Sequence, residues 1–325
     1  MRWPDIELQL VGPRDETITF LAAQLADRGA AAKALAERIK VVNATQRIAM
    51  GEDPVRAVRS RRDASVRVAS RLVRDGAADA TVTIGSTGAA MAAALFTLGR
   101  MPGVTLPPLA VVIPASRGPV ILLDAGATVG AGPDLLLQFA LAGAAYAQVH
   151  LGIPEPTVGL LSIGVEHGKG DPLRKEAALL LEELFALLPA RFVGNVESAA
   201  VATGGVVDVV VTDGFTGNVL LKGIEGAVAA VLHAAAHELD PLALEALGRV
   251  SRRLGPDGQG GAVLLGVNGV VVVGHGASSP AAVAACIGAA AQAVREGLLP
   301  RLTAAMGGLI ERRRTGQAPE AWLRA

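Results

Sequence analysis

Short β-branched runs alternate along this chain with longer alanine-rich or amphipathic stretches, and most of the runs stop at glycine. Residues 206–211, VVDVVV, read as a strand buried on both faces that ends at Asp213-Gly214, with a helix beginning after a Gly214–Asn218 loop. The same pattern predicts a strand over Ala80–Ile84 leading into Gly85-Ser86-Thr87-Gly88. Another covers Val120–Leu123 and leads into Asp124-Ala125-Gly126, with a helix from Pro133. A further strand over 157–163 leads into Gly164 and Gly168-Lys169-Gly170, with a helix from Asp171. Strands that end in glycine before helices imply an α/β fold on a mostly parallel sheet, with the glycine loops sharing one crevice at the carboxyl ends.

The rest of the chain fits around these units. Residues 6–11 and 40–43 predict strands flanking a helix, and 263–265 and 270–273 predict a hairpin closed by Asn268-Gly269. Gly274-His275-Gly276 opens a final helix. Residues 225–258 read as a helical hairpin, with Leu244, Leu247, Val250 and Leu254 forming an apolar edge suited to a second subunit or a membrane surface. A stretch from 56 to 74 carries seven arginines beside inward-facing Val66, Val68 and Leu72. It is either a solvated face or a docking site for an acidic partner.

Composition narrows the function. A chain of 325 residues holds one large core or two moderate ones, and the unbroken α/β pattern favours a single domain over 1–325 with 225–258 as an excursion. Hydrophobic content is 51% and mean hydropathy +0.44, yet no uninterrupted apolar run reaches the roughly 18 residues of a membrane span. Aromatic content of 3% and 30 basic against 30 acidic residues argue against a nucleic-acid partner. A lone Cys286 among apolar neighbours excludes an internal disulfide and a cysteine metal cluster; it predicts a buried, inert thiol and a cytosolic location. The spacing of Gly126, Gly130 and Gly132 is not a dinucleotide fingerprint and no acidic residue is placed for a ribose, which disfavours a nicotinamide enzyme. No cofactor and no metal are expected.

Candidate chemistry lies in the glycine loops. Only five of the basic residues are lysines, and Lys169 lies between two glycines; of four asparagines, Asn195, Asn218 and Asn268 each adjoin a glycine. Asparagine beside glycine also simply makes turns, so both readings stand. Ser86 and Thr87 at a helix start serve as caps and as anion ligands. Such loops suit an oxyanion such as phosphate.

Four blocks taken together, DGFTGNVLLKGIEG (213–226), GVNGVVVVGHGAS (266–278), SIGVEHGKGDPLRKEA (162–177) and LLDAGATVGAGPDLLLQFALAGAAYA (122–147), resemble the bacterial phosphate acyltransferases of the PlsX type. The likeness runs from about residue 6 to 294. It implies a Rossmann-like three-layer α/β/α sandwich related to isopropylmalate dehydrogenase and phosphate acetyltransferase. It also implies a homodimer that transfers a fatty acyl group from acyl carrier protein to inorganic phosphate for glycerophospholipid synthesis, peripherally at the membrane. Lys169, Asn218, Asn268 and His275 are then the expected catalytic residues: Lys169 neutralises charge, the asparagines donate hydrogen bonds, and His275 protonates the departing thiol. Gly85, Ser86, Thr87, Gly88, Gly126, Asp213 and Gly217 are expected around phosphate, and Arg56, Arg59, Arg61 and Arg62 at the carrier-protein contact.

The resemblance also implies a leading strand with an Asp-Ala-Met-Gly-Gly-Asp loop; here residues 1–4 already abut what corresponds to the second strand, so either the start lies further upstream or that part of the crevice is gone. Ser86, Thr128, Gly130, Val165 and Val273 stand where relatives carry Asn, Asn, Asp, Glu and Lys. These departures define the alternative, an impaired homologue that binds carrier protein or membrane without turnover.

Overall fold

The computed structural model describes residues 3–26, 29–186, 188–238, 240, 243–245, 247–248 and 260–314. Strands β1 (Leu8–Gly12) and β2 (Ile39–Asn43) pair in parallel as a small separate sheet, linked through α1 (Arg14–Ala26) and α2 (Ala30–Ala36). The arginine-rich stretch forms two helices, α3 (Pro54–Ser60) and α4 (Ser65–Arg74). Asp53 caps α3 by accepting from Arg56 N–H at 2.7 Å, and Pro54 suits its first turn.

Among the described residues the main sheet has eight strands: β3 (Ala80–Ile84), β4 (Leu109–Ile113), β5 (Val120–Leu123), β6 (Thr157–Leu161), β7 (Arg191–Val196), β8 (Val209–Val211), β9 (Ala262–Leu264) and β10 (Val270–Gly274). Their spatial order is β3-β10-β9-β4-β5-β8-β6-β7. The pairs β3/β10, β5/β8, β8/β6 and β6/β7 are parallel. The three central pairs, β10/β9, β9/β4 and β4/β5, are antiparallel.

Alternation along the strands divides the core between the two faces. Ile121, Leu123, Val209, Val211, Val270 and Val272 pack with α6 (Pro133–His150), α7 (Pro172–Phe185), α10 (Pro280–Arg295) and α11 (Leu298–Arg314). Their neighbours Val120, Leu122, Val210, Val271 and Val273 face the other way, toward α5 (Thr87–Thr97), α8 (Ser198–Thr203) and α9 (Gly214–Glu238). A period of two on strands covered on both sides gives the expected α/β/α sandwich. Helix α6 packs tightly on the sheet at Gly143, where a Cβ would fall 2.6 Å from Val209 Cγ1.

Three expectations change. Helix α9 starts at Gly214 and continues to Glu238, so the presumed 214–218 loop is its first turn and the first arm of the expected hairpin is its continuation. Of the second arm, Leu244 and Leu247 are half-buried, whereas Val250 and Leu254 lie outside the described residues. After β10 the described residues make two helices rather than one.

By length and composition Gly214–Ala236 is apolar enough to cross a membrane, with hydropathy 1.5 over an 18-residue part of it, of which 6% is buried within the chain. Asn218, Lys222 and Glu225 interrupt it, which is why the sequence shows no continuous run.

Candidate active site

Strand direction decides which glycine loops can meet. Following the pairings, β3, β10 and β4 run one way, and β9, β5, β8, β6 and β7 the other. The loops after β5, β6 and β8 therefore converge at one edge of the sheet. Gly85, Ser86, Thr87 and Gly88 after β3, and His275 after β10, lie at the opposite edge. There Ser86 Oγ accepts from Ala89 N–H at 3.3 Å, and Gly88 packs toward Pro54. The exposed His275 accepts from Ala277 N–H through Nδ1 at 3.2 Å. The four-loop crevice is thus corrected to three loops, because the antiparallel β9 and β4 reverse the strand direction between the two halves.

The loop after β5 is built inward around Asp124, whose side chain is fully buried. Its Oδ1 accepts from Leu109 N–H at 3.0 Å, Gly126 N–H at 3.1 Å and Ala127 N–H at 2.9 Å. Its Oδ2 accepts from Thr128 N–H at 2.7 Å and the Thr128 hydroxyl at 2.8 Å. A nest of backbone amides of this kind holds an anion, and here the anion is the protein's own carboxylate. Gly126, expected to bind phosphate, has its amide engaged; its φ of +131° instead admits Asn218, since a Cβ would lie 2.9 Å from Asn218 Nδ2.

Helix α9 rests directly on this loop. A Cβ at Gly217 would lie 1.9 Å from the Asp124 carbonyl oxygen, and one at Gly214 would lie 2.2 Å from that of Thr128. These two glycines, one turn apart, permit backbone-to-backbone packing. Gly217 N–H bonds the Asp213 carbonyl at 2.9 Å, so Gly217 is corrected from a ligand residue to a packing residue.

Asp213 caps the helix, accepting from Thr216 N–H at 2.9 Å and from the Thr216 hydroxyl at 2.8 Å. The remaining amino-terminal donors of α9 are the N–H groups of Gly214 and Phe215. Burial alone would raise the Asp213 carboxyl; the Thr216 amide and hydroxyl and the Arg174 guanidinium outweigh it and hold the group below the usual carboxylate range.

Arg174, on α7, is buried. Its Nη2 donates to Asp213, to Thr212 Oγ1 at 3.0 Å and to Thr216 Oγ1 at 3.2 Å, while Nη1 donates to Asp171 Oδ2 at 2.9 Å. No glycine marks this residue, and the sequence reading missed it; the only signal was its place three residues after the Asp171 cap.

The third loop presents Lys169 to solvent, with no ion pair to its ammonium among the described residues. Buried Asn195 holds the loop from β7 by donating to the carbonyls of Glu166 at 3.1 Å and Lys169 at 3.4 Å. Positive φ at Gly168 (+84°) and Gly170 (+101°) lets the chain turn on either side of the lysine. Behind the loop a cavity of about 330 Å³ is lined by Val165, His167, Phe192 and Asn195, among others.

Asn218 is exposed one turn into α9 and donates to Ala125 O at 3.2 Å, leaving its second amide hydrogen and its carbonyl for a ligand. Asn268 shares this sheet edge, but its amide donates to Leu98 O at 3.2 Å and Arg100 O at 3.1 Å at the end of α5. Its expected role as an oxyanion donor is therefore replaced by capping.

Around the three loops stand exposed apolar side chains: Val129 (86% exposed), Ile163 (83%), Val165, Phe215 and Val219. Of the arginines expected at a partner contact, Arg61 is held by Glu52 at 2.5 Å and by Arg47 O, and Arg59 lies over the Phe96 ring at 4.9 Å. Arg56 and Arg62 are exposed.

Comparison with known proteins gives this geometry its family. Residues 2–301 match the family model described as fatty acid synthesis protein. The chain is 39% identical over 317 residues to a phosphate acyltransferase of Desulfitobacterium hafniense, covering 93% of this chain and 91% of the relative. It is 45% identical over 282 residues to that of Desulforudis audaxviator, covering 84% and 83%. Among solved structures, a phosphotransacetylase from Streptococcus pyogenes superposes with TM-score 0.54 at 19% identity, over 89% of this chain and 94% of that one. A branched-chain phosphotransacylase from Enterococcus faecalis gives 0.54 at 16%, over 89% and 99%, so the fold is shared with acyl-transferring enzymes. The chain belongs to the phosphate acyltransferase family, acyltransferases that work with phosphate.

Proposed function

We infer that the chain transfers a fatty acyl group from acyl carrier protein to inorganic phosphate, supplying acyl phosphate to glycerophospholipid synthesis. The observation that carries this reading is a lysine with no ion-pair partner among the described residues and a helix amino terminus at one sheet edge, ringed by exposed apolar side chains. Lys169 and the α9 start suit an oxyanion. The apolar ring suits a hydrocarbon chain.

Phosphate carries a nucleophilic oxygen near neutral pH, so the site needs no activated serine or cysteine. A phosphate oxygen attacks the thioester carbonyl carbon, the Lys169 ammonium offsets the charge that develops while the Asn218 amide donates a hydrogen bond to it, and the C–S bond breaks to release the carrier thiolate, which takes up the proton that phosphate gives up. The exposed length of α9, with Leu244 and Leu247 beyond it, supports contact with a second subunit or with the cytoplasmic face of the membrane. Arg56, Arg59 and Arg62 offer positive charge to an acidic carrier protein, and Arg61 contributes less because Glu52 already pairs with it.

The test is acyl-phosphate formation from an acyl carrier protein thioester. Replacing Lys169 with Ala is expected to lower kcat about 100-fold, the scale for removing one charge-stabilising donor. Unchanged turnover would refute the assignment. Carrier-protein or membrane binding without any turnover in the unaltered chain would select the impaired-homologue reading, which the engaged amides of Gly126, Ala127 and Thr128 favour.

A further inference from the structure

Arg174 stands between the two loops that carry the proposed chemistry. One side of its guanidinium holds Asp171, two residues after Lys169 and the cap of α7. The other holds Thr212 and Asp213, which join β8 to α9, and Thr216 in the first turn of α9. Asn218 lies two residues further along that helix. A planar fork with several donors fixes both distance and angle between its partners, which a single ammonium cannot do.

We propose that Arg174 is a positioning residue that sets the Lys169 loop against the amino terminus of α9, so that both meet one phosphate; this rests on the reading of the site given above. Three features support it. Arg174 is buried, so it is not itself a ligand of a solvent-borne anion. Its contacts are to side chains of both loops rather than within one. The α9 turn is wedged on its other side against the Asp124 loop through Gly214 and Gly217, leaving α7 as the side from which the turn can shift. The charged groups facing Asp213 are Arg174 on α7, Asp171 beyond it, and Asp124, whose Oδ2 would lie 2.5 Å from a Cβ at Gly214.

The experiment compares the unaltered chain with Arg174→Lys, Arg174→Met and the double variant Arg174→Met/Asp213→Asn. Inorganic phosphate binding by calorimetry, steady-state turnover and thermal unfolding are measured on each. Arg174→Met strands a buried carboxylate, and the double variant removes that charge. The expected result is at least a ten-fold rise in phosphate KM and in the phosphate dissociation constant for Arg174→Met, with the acyl-donor KM within two-fold. Arg174→Lys should fall between, and the double variant should regain melting temperature without regaining phosphate affinity. In Arg174→Met the acid limb of the activity profile should also move to higher pH, because Asp213 has lost its cation.

Recovery of phosphate affinity together with melting temperature in the double variant would reduce Arg174 to a stability role and overturn the proposal. So would unchanged phosphate parameters in Arg174→Met. Phosphate binding that depends on Arg174 in a chain without turnover would uphold the positioning role and refute the enzymatic reading. Normal turnover in Arg174→Met would do the reverse. An unaltered chain that binds no phosphate would refute both.

Discussion

Replacing Asp124 with Asn tests whether a carboxylate organises the β5 loop. The two side chains are nearly the same size, so packing is preserved and the hydrogen-bond count decides. The Asn carbonyl keeps the three amides now on Oδ1, from Leu109, Gly126 and Ala127. Its NH₂ replaces Oδ2 and faces two donors of Thr128, the N–H at 2.7 Å and the hydroxyl at 2.8 Å. The hydroxyl can turn and accept; the buried N–H cannot. Flipping the amide is worse, because NH₂ then faces three N–H groups.

Stranding one buried amide costs about 1–3 kcal/mol, and weakening the remaining charge-assisted bonds adds about 1, for a destabilisation of about 2–4 kcal/mol. Urea unfolding followed by fluorescence and circular dichroism should show that loss as a lower midpoint at constant slope. Because Ala125 O holds Asn218, phosphate turnover should fall as well. A stability change below about 0.5 kcal/mol, within the range of ordinary surface substitutions, would refute the account.

Other expectations follow from the same geometry. Gly217→Ala places a methyl 1.9 Å from the Asp124 carbonyl oxygen, and no rotamer relieves it. The α9 start must move by about 1 Å, so turnover should drop at least about ten-fold, a misplacement of that size being able to cost 100-fold; normal turnover would show that the close packing is dispensable. Asp213 is held below its unfolded value of about 3.9, so its contribution is present above that pH and lost as pH falls through the lower folded value. The stability difference between the unaltered chain and Asp213→Asn should therefore be constant above about pH 5 and shrink below about pH 4, in urea titrations at several pH values. A difference that grows toward acid would reverse the sign of the argument. Burial pushes the Cys286 thiol up, and the residue is 1% exposed; alkylation by iodoacetamide at neutral pH should await unfolding, and rapid labelling of the native chain would contradict its place in the core.

Local pattern alone determined much of this protein. The runs at 80–84 and 120–123 are strands, those read over 157–163 and 206–211 contain the shorter strands 157–161 and 209–211, the apolar stretch after Pro133 is a buried helix, and Asn268-Gly269 closes a hairpin. Strand periodicity and helix-start signals act over a few residues, so they are visible in one dimension. Lys169 and Asn218 were likewise marked by the glycines beside them.

Only tertiary structure decided which marks belong together. Strand direction sent Gly85–Gly88 and His275 to the far edge, and no local signal encodes the order in which strands pair. The donors of Gly126, Gly217 and Asn268 were claimed by Asp124, Asp213 and the end of α5, partners that distance in sequence concealed in the case of α5 and that loop geometry concealed in the others. Arg174 shows the converse. Its role depends on meeting Thr212, Asp213 and Thr216 from 38 to 42 residues away, and a buried charge is recognisable only once the groups that compensate it are known.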